Sequence, residues 1–177
     1  MNYISHHGVL KPGSATTKLR VVSNSSLDNN NNGLSLNDCL PKGPNTLVSL
    51  IQSTVTWRSY KHCVVWDLSK AYNVVHTTEQ ETHLRRLVWR WGDEHSDWET
   101  FGLTRMHFGD RCAMCGLEVA KTKVADLGKN IDPAVDMIKM TYVDDGSGGG
   151  TKETVDRLIG EETTDAKGNL IYSGTVA

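Results

Sequence analysis

The chain has 177 residues, 38% of them hydrophobic, with a formal net charge of −2. That is enough apolar material for one core or two lobes sharing it and excludes a low-complexity chain, while no apolar run approaches the roughly 18 residues of a membrane-spanning helix. Charge is uneven, with six Lys and Arg against two acids over 1–63 and thirteen against nineteen over 64–177, which suits gripping phosphate with one part and metal ions with another, although ordinary surface scatter accounts for it equally.

The start Met1-Asn2-Tyr3-Ile4-Ser5 lacks the basic-then-apolar pattern of a secretory signal, so a cytoplasmic, reducing location and no membrane association are expected. Lys18-Leu19-Arg20-Val21-Val22 predicts a short strand, and 27–33, with Asp28 and four consecutive asparagines, a surface loop. Pro41 and Pro44 set a turn, after which the 3-and-4 spacing over 46–51, capped by Asn45, predicts a helix. Cys63-Val64-Val65-Trp66 predicts a buried central strand ending at Asp67. Thr78-Glu79-Gln80-Glu81 is a capping box. With Leu84, Leu87, Val88 and Trp91 at helical spacing and Gly92 as a stop, it predicts the clearest helix of the chain over 78–92.

The loose alternation of 101–108 predicts a strand, and 111–127 a helix with Ala113, Leu117, Ala120, Val124 and Leu127 on one face. Asp132-Pro133 opens a short helix, 140–143 is a strand, and the glycines of Gly146-Ser147-Gly148-Gly149-Gly150 permit a tight hairpin or a mobile loop. Thr151 caps a last helix through Val155, Leu158 and Ile159 to Gly160, and 169–175 reads as a strand. Cys39, Cys63, Cys112 and Cys115 include one CxxC pair without a second at zinc-finger spacing, so free thiols are expected.

The chemistry is concentrated in Tyr142-Val143-Asp144-Asp145 and in Asp67, which closes another apolar run. Two adjacent carboxylates at a strand tip, facing a third on a neighbouring strand, hold two divalent cations about 3.5–4 Å apart and support in-line phosphoryl displacement. Alone, Asp144-Asp145 would read as solvated turn acids. The element order gives an α+β fold with a small mixed sheet and helices packed on one face. A split βαββαβ arrangement would bring Asp67 and the acidic pair to adjacent strand ends.

Val64-Val65-Trp66-Asp67-Leu68-Ser69-Lys70-Ala71-Tyr72 resembles motif A of reverse transcriptases, and Tyr142-Val143-Asp144-Asp145 their YxDD motif C. Lys18 to Val22 is similar to the fingers hairpin, and Phe108-Gly109 stands where motif B places its turn. Leu34-Ser35-Leu36-Asn37-Asp38-Cys39-Leu40 with Gly43-Pro44, and His6-His7-Gly8-Val9, narrow the resemblance to the BEL/Pao class of long-terminal-repeat retrotransposons. The chain departs from that pattern at Asn24, preceded by Ser23, where an aspartate is common, and at Cys112, where proline or a small residue is common.

The resemblance implies RNA- or DNA-templated DNA synthesis in a right-hand polymerase fold, with fingers at 1–36 and 77–110 and palm at 37–76 and 111–177. Two Mg²⁺ ions, replaceable by Mn²⁺, would be held by Asp67 and Asp144, with Asp145 as the third catalytic carboxylate. Lys18 and Arg20 would clasp the triphosphate. Tyr72 would be a steric gate against a 2′-hydroxyl, though from the residues alone a buried core tyrosine is equally expected. Phe108 and Gly109 would lie near the incoming nucleotide, Tyr142 and Val143 at the primer terminus, and Arg105 and Arg111 at template phosphates.

Implied partners are an RNA or DNA template, a primer, dNTPs and the rest of a Pol polyprotein: thumb, RNase H, integrase and protease. The implied location is the cytoplasm, virus-like particles included. The chain stops at Ala177 before a primer grip or thumb, so a polyprotein fragment or truncated copy is expected. Two other readings compete: an inactive remnant that binds nucleic acid, and, ranked last, an Asp-dependent metal phosphohydrolase.

Overall fold

The structure is a computed structural model and describes residues 2–14, 18–28, 31–131 and 133–159, together with the backbone of 163–164 and 170–171. The cap expected at Asp132, the stop at Gly160 and most of the strand expected over 169–175 lie outside the described residues. The chain is mixed α/β and divides into two compact units, one of Met1–Gly43 with Tyr72–Ala113, the other of Pro44–Ala71 with Met114–Ala177. Among the described residues no helix is long and apolar enough to cross a membrane.

In the first unit, β1 (Ser5–Leu10) pairs antiparallel with β2 (Leu19–Asn24), and Lys11 N–H donates to Lys18 O at 2.8 Å where the hairpin closes. Helix α1 (Leu36–Cys39) is one turn, capped by Ser35 in a reciprocal capping box with Asp38. The hydrogen bonds from Ser35 hold the Asp38 carboxyl below the ordinary carboxylate range.

Three expectations about element boundaries need correction. The helix expected over 46–51 is displaced: α2 (Leu50–Ser59) starts after Ser49, whose hydroxyl accepts from Gln52 N–H, whereas Asn45 Oδ1 accepts from Leu47 N–H in a local turn. The hydroxyl cap, not the upstream amide, decides the first helical residue. The helix expected over 78–92 is only one turn, α3 (Glu79–Thr82), with its Thr78–Glu81 capping box intact. It gives way to β4 (Arg86–Trp89), paired antiparallel with β5 (Glu99–Gly102). Arg85 sits just before β4, 1% exposed, with Nε 2.6 Å from Asp110 Oδ2. Anchored there, the chain runs on as Leu-Val-Trp, residues that favour a pleated, half-buried surface. The strand expected over 101–108 is therefore confined to its first residues, followed by an isolated bridge between His76 and Arg105.

In the second unit, β3 (His62–Asp67) is an edge strand rather than a central one. The sheet order is β3, β7 (Asp145–Gly150), β6 (Thr141–Tyr142), and both pairings are antiparallel, so among the described residues the mixed sheet is replaced by a three-stranded antiparallel one. The strands expected over 18–22 and 101–108 lie in the separate hairpins of the first unit. Residues 133–140 form 3₁₀ turns before β6.

The glycine run is neither a hairpin tip nor a mobile loop; it is the central strand β7. A Cβ on Gly146 would lie 1.9 Å from Trp66 Cε2, and one on Gly148 2.4 Å from Met137 Cε. Glycine is needed because large side chains lie flat on this strand. Trp66 Nε1–H crosses Gly146 to donate to Thr141 Oγ1 at 2.9 Å, and Trp66 and Met137 pack with the buried Val64 and Val155. Val155 comes from α5 (Lys152–Ile159), where Thr151 Oγ1 accepts from Thr154 N–H.

Helix α4 (Ala113–Gly128) forms where the spacing predicts, but its buried stripe is Ala113, Leu117, Glu118, Lys121 and Ala125, while Val124 and Leu127 are exposed. Glu118 and Lys121 can occupy that stripe because Lys121 Nζ lies 2.6 Å from Glu118 Oε1.

Candidate functional site

β6 and β7 are joined by the two-residue turn Val143-Asp144, and the β3 and β6 registers set the acids around β7. Asp67 is the cross-strand partner of Asp145, and Asp145 that of Tyr142. Directly opposed residues project from the same face of a sheet, so Asp67 and Asp145 share a face, and both are exposed. The next row, Trp66, Gly146 and Thr141, carries the apolar packing on the other face, since side chains alternate along a strand. The sequence gathers solvated acids at one end of the sheet while its tryptophan anchors the opposite face.

Asp144 sits in the turn, and its carbonyl accepts from Leu68 N–H at 2.9 Å, so the motif around Asp67 is tied to the acidic pair by backbone as well as by register. Val143 takes a φ of 58°. A two-residue hairpin favours glycine or asparagine at positive φ, and a β-branched residue there costs on the order of 1–3 kcal/mol. Strain of this kind persists only where surroundings over-determine the backbone.

Among the described residues no group of three or more His, Cys, Asp or Glu side chains stands close enough to hold a metal ion. What converges is a cross-strand pair of carboxylates with a third on the adjoining turn. As a donor set this is all oxygen, the type that suits Mg²⁺, which commonly takes one or two carboxylates and completes its shell with water and substrate phosphates. The residues fit a divalent cation by donor chemistry, with Asp67 and Asp145 as the facing pair.

A second gathering lies within the first unit. Tyr72, 7% exposed, packs edge-on against Phe108 with ring centroids 4.7 Å apart, and the Arg20 guanidinium lies 6.0 Å from the Phe108 centroid. Gly109 has a φ of 108°, and a Cβ on it would meet Ser23 O at 2.9 Å. Arg20, Tyr72, Phe108 and Gly109 therefore form one cluster, whereas Lys18 stands exposed at the closed end of the hairpin. Arg105 is engaged with Val74 O and His76 Nε2, and Arg111 Nη1 donates to Asn37 O at 3.4 Å.

The turn bearing Phe108 rests on polar residues that the sequence reading did not select. Asp110 accepts from Arg85 Nε at 2.6 Å and from Ser25 Oγ at 2.7 Å. His107 Nε2 lies 3.4 Å from Asp110 Oδ1, its Nδ1 lies 2.6 Å from Ser23 Oγ, and Asn37 Nδ2–H donates to Gly109 O at 2.7 Å. Burial works against the Arg85 charge, but the hydrogen bond and charge of Asp110 prevail and raise its pKa. Burial, then the Asp110 charge, pushes the Cys112 thiol above its ordinary value.

Lys121 was missed as well: its Nζ–H donates to Thr141 O at 2.6 Å and to Val143 O at 3.0 Å. The trace of Lys121 in the sequence is its place four residues after Leu117 and three before Val124, on the face expected to be buried. Comparison with protein-family models and with curated proteins finds no match to this chain.

Proposed function

We propose that the chain is the fingers-and-palm part of an RNA-directed DNA polymerase of the BEL/Pao retrotransposon type, transferring nucleotides from dNTPs to a primer 3′-hydroxyl on an RNA or DNA template. The observation that carries this reading is the register of β3, β7 and β6, with Asp67 opposite Asp145 and the Asp144 carbonyl bonded to Leu68 N–H. Carboxylates separated in sequence share one exposed strand end of the sheet.

In this reading Asp67, Asp144 and Asp145 present oxygen donors toward the triphosphate and the primer terminus. Paired divalent cations, when bound there, supply Lewis-acid activation of the hydroxyl and neutralise charge on the departing pyrophosphate. Tyr142 and Val143 form the ledge for the primer end. Arg20, held near the Phe108 ring, offers a guanidinium fork to phosphate, and Tyr72 beneath that ring is stiff enough to exclude a 2′-hydroxyl by overlap.

Primer extension on an RNA template with Mg²⁺ and then Mn²⁺, using the chain alone and fused to a polymerase thumb, tests the reading. Metal-dependent incorporation abolished by Asp144→Asn is the expected result. Salt-sensitive RNA binding unchanged by Asp144→Asn, with no incorporation in either form, would replace it with a binding module. Metal-dependent phosphate release without a template would replace it with a phosphohydrolase.

A further inference from the structure

The strained turn at the acidic tip needs something to hold it, and the atoms that do so come from α4. Lys121 is 4% exposed, and its Nζ faces three acceptors: Thr141 O at 2.6 Å, Val143 O at 3.0 Å and Glu118 Oε1 at 2.6 Å. Two of the three ammonium protons go to these carbonyls, and the Glu118 carboxylate stands beside the nitrogen as an ion pair. Glu118 is 6% exposed and compensates the charge; the two residues lie one helical turn apart.

Burying an ammonium is costly unless it is paired and hydrogen-bonded, so a lysine in the buried stripe of a helix calls for a reason. The acceptors supply one. Thr141 is fully buried and belongs to β6, an edge strand of its sheet whose outer backbone groups meet no further strand among the described residues. Val143 is the turn residue with positive φ. The two carbonyls bracket Tyr142, so one side-chain nitrogen clamps the backbone on both sides of the residue that enters the turn. A methionine of similar length would fill the space without holding either carbonyl.

We propose that Lys121, compensated by Glu118, is a positioning residue for the Val143-Asp144 turn, fixing the backbone that carries Asp144 and Asp145. Its consequence for catalysis rests on the polymerase reading above; its consequence for the geometry of the turn does not.

Amide hydrogen exchange separates the two. Leu68 N–H, bonded to Asp144 O, reports on the tip, and Val155 N–H, bonded to Thr151 O, serves as a reference away from it. In Lys121→Met, exchange at Leu68 should accelerate roughly tenfold relative to Val155, and Lys121→Arg should restore most of the protection. Mn²⁺ affinity of the tip should fall by roughly 10–100-fold in Lys121→Met, as for other residues that orient metal ligands, and in primer extension kcat should fall with little change in the KM for dNTP.

Equal acceleration at Leu68 and Val155, or none at Leu68, would overturn the proposal, since a packing role loosens the unit as a whole. If Lys121→Met does not fold, Glu118→Gln carries the test: it keeps the shape but removes the compensating charge, and selective acceleration at Leu68 is again required. If the unaltered chain neither binds Mn²⁺ nor extends a primer, the polymerase reading fails while the exchange result still decides the role of Lys121.

Discussion

The glycine strand of the second unit and the Phe108 turn of the first are packed by opposite means. In the second, a glycine strand is pressed against Trp66, Met137, Val64 and Val155, so the packing works because β7 has nothing to add. In the first, the buried centre under Phe108 is polar: Arg85 and Asp110 are both buried and are joined by Ser25 and His107, while Asn37 holds the Gly109 carbonyl. The first arrangement is vulnerable to subtraction, because each buried charge relies on its partner. The second is vulnerable to addition, because a Cβ on Gly146 meets the Trp66 ring and one on Gly148 meets Met137. The contrast also separates roles, since the polar network carries the Phe108 turn and the glycine strand carries the acids.

Subtraction should give the largest effect. Asp110→Ala leaves the Arg85 guanidinium buried and uncompensated, a loss of about 3–5 kcal/mol measured by urea unfolding. The paired replacement Arg85→Met with Asp110→Leu should recover most of it, because removing both charges also removes their desolvation cost. If Asp110→Ala unfolds no more readily than the unaltered chain, the first unit does not depend on charge pairing and the contrast collapses.

Addition comes next. Gly146→Ala places a methyl 1.9 Å from Trp66 Cε2 and forces the indole off Thr141, at a cost of about 1–3 kcal/mol by the same measurement. Trp66→Leu in the same chain should relieve part of that penalty, and a purely additive double variant would show that the ring is not the obstacle.

The smallest effect leaves stability untouched. Because the Cys112 pKa is raised, its thiolate fraction at any given pH is reduced and its alkylation profile moves to higher pH. Iodoacetamide should therefore label the exposed Cys39 before Cys112 near pH 8, followed by peptide mass spectrometry. Equal rates would show that neither burial nor the Asp110 charge reaches the thiol.

Several elements were legible in the residues because their causes are local. The Thr78–Glu81 capping box, the Thr151 cap, the extent of α4 and the strand closing at Asp67 each depend on neighbours within about four positions. The acidic motif was legible for the same reason, as a short run of unusual chemistry. Failures came where distant partners override local preference. Leu84, Leu87, Val88 and Trp91 have helical spacing, yet 86–89 is a strand because residues 99–102 supply a ladder and Asp110 holds Arg85. Val124 and Leu127 were expected inside, yet Glu118 and Lys121 take the buried face because they satisfy one another and the turn carbonyls.

By itself the sequence determined which side chains were candidates and in what order they occur: Asp67, then Asp144 and Asp145, with Arg20, Tyr72 and Phe108 as further candidates. Only the tertiary structure decided that the glycine run is the central strand, that Asp67 on the neighbouring strand faces Asp145 at its start, and that a buried lysine grips the turn leading into it. The reason is that register, close approach and the compensation of buried charge depend on atoms far apart along the chain. Their energies exist only once those atoms have left water together.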